Sequence, residues 1–288
     1  MEKTETGILY VVATPLGNLE DITLRALRVL KEVSLIAAED TRHTKKLLAH
    51  YGIPTPLTSC FEHNEEAKAA GFVRSLIAGE SIAVVSDAGT PGISDPGYRI
   101  IKAAIDAGIR VVAIPGPSAV VAALCVSGLP LDRFTYLGFA PSTATARRRF
   151  LLGLAGREDT FVLYESARRI KETLKDIIEI LGNVDTVMGR EMTKLHEEVA
   201  RGPASQLLER LSQSEPRGEI TLVLRTHAAV KPVVSAPDEL ERLMKAGFSF
   251  RDAVGAIALE LDMPRREVYR AALQVKERLE AGGRGVVK

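Results

Sequence analysis

The chain is short of cysteine, nearly neutral and without a long apolar run, and each absence removes a class of protein. Its 288 residues include two cysteines, Cys60 and Cys125, with no CxxC pair and no neighbouring histidine pair. A disulfide framework and a zinc site are both disfavoured, which leaves reduced thiols and a cytoplasmic location as the expectation. Lys and Arg number 38 against 37 Asp and Glu, a formal charge of +1. With no global field to draw it to a polyanion, any nucleic-acid contact has to come from a local patch. No apolar run reaches the roughly 18 residues of a membrane span, and Met1–Gly7 holds no apolar stretch of the signal-peptide kind. The GxGxxG fingerprint is missing from the turn after the first apolar run, which disfavours a nicotinamide or flavin site there. Low-complexity tracts and solenoid periods are also lacking.

What the chain does have is a hydrophobic content of 46%, enough for a sizeable core, and one unusual stretch. Ala83-Val84-Val85-Ser86-Asp87-Ala88-Gly89-Thr90-Pro91-Gly92-Ile93-Ser94-Asp95-Pro96-Gly97-Tyr98 runs from an apolar strand through a turn holding two Asp, three Gly and two Pro. An ordinary strand-to-helix connection needs only about 2–6 residues. A longer one of this composition leaves backbone groups unpaired at the carboxyl edge of a sheet, where open α/β sheets bind ligands.

The remaining pattern alternates strand and helix. Ile8–Ala13 reads as a strand buried on both faces, as in a parallel sheet. Asp21 is a predicted N-cap for a helix burying Leu24, Leu27 and Leu30. Ser34–Ala38 is a second strand, followed by Glu39-Asp40-Thr41-Arg42-His43 and a helix to about His50. A short strand near Leu57 precedes a helix with Ala69, Phe72, Val73, Leu76 and Ile77 on one face. After the strand Ile82–Val85 comes a helix presenting Ile100, Ile101, Ala104 and Ile105 and ending at Gly108. Val111–Ile114 is the fifth strand. It opens into Pro115-Gly116-Pro117-Ser118-Ala119, a second Pro/Gly turn expected to lie beside the first. Gly128-Leu129-Pro130 marks a domain boundary. Strands at 134–138, 160–164, 186–191 and 219–224 alternate with helices around 147–154, 170–181 and 205–211, and 190–202 reads partly as a hairpin. Residues 225–237 look like a linker. Helices then follow at 237–245, through Phe250, Val254, Ile257 and Leu261, and through Val268, Ala272, Val275 and Leu279, with Arg266 and Arg270 on the outer face of the last. The fold class is α/β, with two α/β domains at 1–127 and 128–228 and a helix-turn-helix-like module at 237–288. His43, His50, His63, His196 and His227 lack partners at ligand spacing, so no metal is expected.

Seven motifs in order carry a resemblance: Thr14-Pro15-Leu16-Gly17-Asn18 with Asp21, Glu39 to Arg42, Ser86 to Tyr98, Pro115 to Ala119, Tyr164-Glu165-Ser166, Arg190-Glu191-Met192-Thr193-Lys194 and Arg217-Gly218-Glu219. Together they are similar to the tetrapyrrole-methylase superfamily, and within it to the ribosomal RNA small-subunit methyltransferase I branch, along nearly the whole chain. The resemblance implies an S-adenosylmethionine-dependent enzyme that methylates the ribose 2′-hydroxyl of a cytidine in the decoding region of 16S rRNA. It also implies a homodimer of two-domain subunits with the cofactor folded in the cleft between the domains. By motif match the cofactor contacts are Leu16, Asp87, Ala88, Gly89, Thr90, Ile93, Ser94, Ser118 and Ala119, with Tyr164 and Met188 as second-domain walls. Asp87 is left open between holding the cofactor and holding loop amides. A base or a cation is needed beside the weakly nucleophilic hydroxyl. Glu39, Asp40 and Arg42 are expected to line the substrate side, faced by Glu165 and Lys194, and the residue that takes the proton is left open among Asp21, Glu39, Asp40 and Glu165. RNA phosphates are assigned to Arg147, Arg148, Arg149, Arg168, Arg169, Arg266 and Arg270. The chain departs from its relatives at Arg168, where they often have histidine, and at Ser142–Ala146, where they tend to carry a lysine-rich arm. A tetrapyrrole-ring methylase and a non-enzymatic nucleic-acid-binding regulator are the alternatives.

Overall fold

The computed structural model describes residues 5–61, 64–212, 216–227, 236–245, 248–260 and 263–283. The first half alternates strand and helix: β1 (Leu9–Val12), α1 (Leu24–Glu32), β2 (Leu35–Ala38), α2 (Thr41–His50), β3 (Leu57–Ser59), α3 (Glu65–Ile77), β4 (Ile82–Val85), α4 (Tyr98–Asp106), β5 (Val111–Ile114) and α5 (Ala119–Cys125). Its strands form a five-stranded sheet, all parallel, in the order β3-β2-β4-β1-β5. Side chains alternate between the two faces of a strand. Val12, Ile36, Ala83 and Val85 therefore pack under α1 and α2, while Leu9, Ala37, Ile82 and Val84 pack under α3 and α4. Burial on both faces is why these strands read as unbroken apolar runs.

The second sheet uses β6 (Phe134–Phe139), β7 (Thr160–Ser166), β8 (Asp185–Arg190), β9 (Glu198–Pro203) and β10 (Glu219–Arg225), with helices α6 (Ala144–Leu152), α7 (Ile170–Leu181) and α8 (Ala204–Ser212). Its order is β6-β7-β10-β8-β9; β6 and β7 are parallel and every other pair is antiparallel, including the expected β8–β9 hairpin. Helices α6, α7 and α8 cover one face. The other face is covered by α5, whose Val120, Ala123 and Leu124 meet Val162, Val187 and Val223. That apolar contact ties both sheets into one compact unit, residues 1–228.

The second unit contains α9 (Ala236–Lys245), α10 (Phe250–Glu260) and α11 (Arg265–Gly283). Leu240, Leu243, Val254, Ile257, Val268, Ala272 and Val275 form its core. Leu261, His63 and the side chain of Leu279 lie outside the described residues. Among the described residues no helix is long and apolar enough to cross a membrane.

Several local expectations need correcting. Thr23, not Asp21, caps α1, its Oγ1 accepting from the Ala26 amide at 3.0 Å. The buried stripe is Ala26, Val29 and Leu30, and Leu24 at the helix start is 86% exposed. Ile77 and Ile105 are exposed although the preceding Leu76 and Ala104 in the same turns are fully buried, so each falls just outside the buried stripe of its helix. β1 runs between β4 and β5, yet the turns after those two strands do meet, Thr90 Oγ1 lying 3.3 Å from the Pro117 carbonyl, and the turn after β1 joins them.

Candidate active site

Three loops leave the carboxyl ends of β1, β4 and β5 and are stitched together by backbone. Thr14 and Gly89 exchange two amide–carbonyl hydrogen bonds, of 2.8 and 3.0 Å. Thr14 Oγ1 donates to the Ser86 carbonyl at 3.0 Å, and Thr90 Oγ1 to the Pro117 carbonyl at 3.3 Å. Gly89 holds φ at +80°, a left-handed conformation open to glycine at little cost. The far end of the β4 loop is anchored by Glu65 of α3. Its buried carboxylate accepts from the Gly97 and Ile100 amides at 3.1 and 3.0 Å, capping α4, whose own N-cap residue Gly97 has no side chain to do so.

These loops, the end of β7 and the start of β10 enclose a cavity of about 420 Å³, within the range of small-molecule clefts. Every predicted cofactor residue lines it except Met188: Leu16, Asp87, Ala88, Gly89, Thr90, Ile93, Ser94, Ser118, Ala119 and Tyr164. Met188 is fully buried on the opposite face of its strand, in the core under α6, α7 and α8. The wall expected of it is supplied by Phe139 and by Gly218–Thr221. Tyr164 packs edge-on to Tyr136 and tilted to Phe139, each at 5.3 Å, and Tyr136 shares a 2.6 Å hydrogen bond with Ser94.

Five carboxylates line the cavity: Glu39, Asp87, Asp95, Glu165 and Glu219. Four of them are engaged. Glu39 accepts from the Asp87 amide at 3.3 Å, and Asp87 from the Asp40 amide at 3.0 Å, so Asp87 serves the loop amides. Glu165 is buried and accepts from the Ser166 amide, Arg169 and Thr173, at 2.7, 2.9 and 2.6 Å. That role pins the start of α7, while Glu165 lines the cavity from the second sheet as expected. Glu219 pairs with Lys194 at 2.9 Å. Asp95, absent from the expected site, has the Ser86 hydroxyl as a neighbour, and that hydroxyl lies 3.3 and 3.4 Å from the Ala88 and Gly89 carbonyls. Burial, with Glu39 the next contributor, pushes the Asp95 carboxyl up to about 7 against the pull of that hydroxyl. Burial also raises Glu39.

Asp40, Arg42 and Lys194 stand outside the cavity lining. Asp40 caps α2 through the Arg42 amide at 2.8 Å and binds the Arg42 guanidinium at 2.7 Å, which holds its carboxyl down at about 2. Lys194 lies over the first loop: a Cβ on Gly17 would stand 2.2 Å from its Cγ. Burial opposes its charge, but Glu219 and Glu191 outweigh burial and raise its pKa. The turn that carries it is strained, with Glu191 and Thr193 at φ of 50° and 66°, conformations costing about 1–3 kcal/mol each.

The basic residues divide. Arg149, Arg168, Arg266 and Arg270 are exposed. Arg147 is 5% exposed, its Nε and Nη2 both 2.7 Å from Asp176 Oδ2, a structural ion pair where a phosphate contact was expected. Arg148 pairs with Glu179 and Arg169 with Glu165. Arg147→Lys, which cannot keep the two-pronged contact, is expected to lower stability by about 1.5–3 kcal/mol and to leave RNA affinity unchanged, as checked by thermal melts and filter binding.

The profile of the Tetrapyrrole (Corrin/Porphyrin) Methylases matches residues 8–208. The ribosomal RNA small subunit methyltransferase I of Halalkalibacterium halodurans is 42% identical over 93% of this chain and 95% of its own. That of Synechocystis sp. is 43% identical over 96% of this chain and 100% of its own. Among solved structures, the methyltransferase CobJ superposes with a TM-score of 0.59 at 17% identity, covering 77% of this chain and 95% of its own, a likeness of fold.

Proposed function

Because the chain belongs to the tetrapyrrole methylases and, within them, to the ribosomal RNA small subunit methyltransferase I branch, we propose that it methylates 16S rRNA, at the ribose 2′-hydroxyl of a cytidine in the decoding region. The observation that carries this reading is the reach of the likeness. A match over 96% of the chain extends into the helical unit beyond residue 228, which lies outside the 8–208 shared with the wider family. A tetrapyrrole-ring methylase has no evident use for that unit.

S-adenosylmethionine, the methyl donor, supplies an electrophilic methyl group on a cationic sulfur. The cavity suits it: the apolar faces of Leu16, Ile93, Phe139 and Tyr164 fit a nucleoside, and the carboxylate wall favours a cation. Gly89 lets the main chain approach the donor closely. The ribose hydroxyl has to lose its proton as the new O–C bond forms. We assign that proton to a carboxylate oxygen of Asp95. Among the cavity carboxylates it alone has neither an amide nor a cation among its described partners. Glu165 and Glu65 act as positioning residues, holding the start of α7 and the start of α4.

The same reading includes a homodimer in the cytoplasm, domains at 1–127, 128–228 and 237–288, and RNA contacts by the exposed Arg149, Arg168, Arg266 and Arg270. It is tested by offering the purified chain labelled donor with either 30S subunits lacking the modification or a reduced porphyrinoid. Label is expected in RNA, and label in the porphyrinoid alone would overturn the assignment.

A further inference from the structure

Helix α2 leaves β2 directly after Glu39 and turns Thr44, Leu47 and Leu48 into the core. Its other side exposes Arg42, His43, Lys45, Lys46 and His50, and the helix carries no acidic residue. In a chain of net charge +1 this is a concentrated local field. Arg42 is held by Asp40, whereas His43, Lys45 and Lys46 have no ion-pair partner among the described residues.

Two grooves flank the helix. One, of about 250 Å³, places His43 and Lys46 opposite Pro15, Gly17 and Leu19, and its floor includes Asp87, which also lines the donor cavity. The other, of about 600 Å³, places Arg42 and Lys45 opposite Pro54 and Thr55. Cations on both sides of the helix can take the phosphates of a nucleic-acid backbone, and a groove that shares Asp87 with the donor cavity is where a splayed-out nucleotide could reach it.

Building on the rRNA-methylation reading, we infer that the exposed face of α2 binds the phosphates of the RNA acceptor and that the groove between α2 and Pro15–Leu19 seats the target nucleotide. Phosphate contacts release counterions, so affinity falls with salt by roughly 0.7–0.9 log units per log unit of salt for each contact.

The test uses the full chain with Lys45→Glu/Lys46→Glu and, as a milder variant, Lys45→Gln/Lys46→Gln. Both side chains are exposed, so melting temperature and donor affinity serve as checks on folding. The expected result is a KM for 30S subunits raised about 10-fold or more in the Glu variant and a salt dependence shallower by roughly 1.5 log units in both, because two phosphates no longer meet a lysine. Unchanged KM and salt dependence, with the wild type labelling 30S subunits, would overturn this assignment alone. Failure of the wild type to label any RNA would overturn the parent reading and this one with it.

Discussion

Asp95→Asn is expected to slow methyl transfer at pH 8 by about 10²–10⁴-fold, the usual contribution of a positioned general base. The wild-type rate should rise with pH and level off above about 7, where the Asp95 carboxyl loses its proton. The Asn variant should lack that limb. Stability supplies an independent reading with the opposite trend. A carboxyl raised in the fold from an ordinary value of 3.8 binds more protons in the native than in the unfolded chain between about 4 and 7. The wild type therefore loses stability as pH rises through that window, and above it carries the full cost of a buried charge. Asn carries no such cost, so the variant should melt above wild type at pH 8, by a margin that shrinks at pH 5. Persistence of the kinetic limb in the Asn variant would move the proton to Glu39, the other cavity carboxyl raised by burial.

Glu65→Ala is expected to damage both fold and site. Glu65 is 3% exposed, and its loss leaves the Gly97 and Ile100 amides without an acceptor. Two orphaned buried donors cost roughly 2–6 kcal/mol together, at about 1–3 each, or on the order of 10 °C in melting temperature for a unit of this size. Donor affinity should fall as well, because the segment from Ser86 to Gly97 is held at its far end by this carboxylate. Glu65→Gln keeps an oxygen acceptor and should recover most of both losses. Melting curves and calorimetric titration with S-adenosylmethionine check this, and an Ala variant with wild-type melting and donor affinity would contradict it.

Much of this site was legible from the chain because its signals are local. Unbroken apolar runs mark strands buried on both faces, and a turn as rich in Gly, Pro and Asp as Ser86–Gly97 can only sit at a sheet edge. Asp40 caps α2 as its position before the helix indicates. What was missed depends on contacts distant in sequence. Where both faces of a strand are apolar, alternation does not say which face looks into a cavity, and Met188 fell on the wrong one. Arg147 reads as a phosphate ligand in a triple-Arg run until α7 brings Asp176 against it. Glu65 looks like an ordinary acid in the first turn of α3, although it caps a different helix. Asp95 was visible within the long turn, but its raised pKa comes from burial and from Glu39, which arrives on a different strand.

Methylation of 16S rRNA is tested by labelling modification-free 30S subunits with tritiated S-adenosylmethionine, then digesting the RNA and identifying the labelled nucleoside. The expected product is a single 2′-O-methylated cytidine from the decoding region of 16S rRNA. Label on a base, at scattered sites, or on neither subunits nor free 16S rRNA despite measurable donor binding would contradict it.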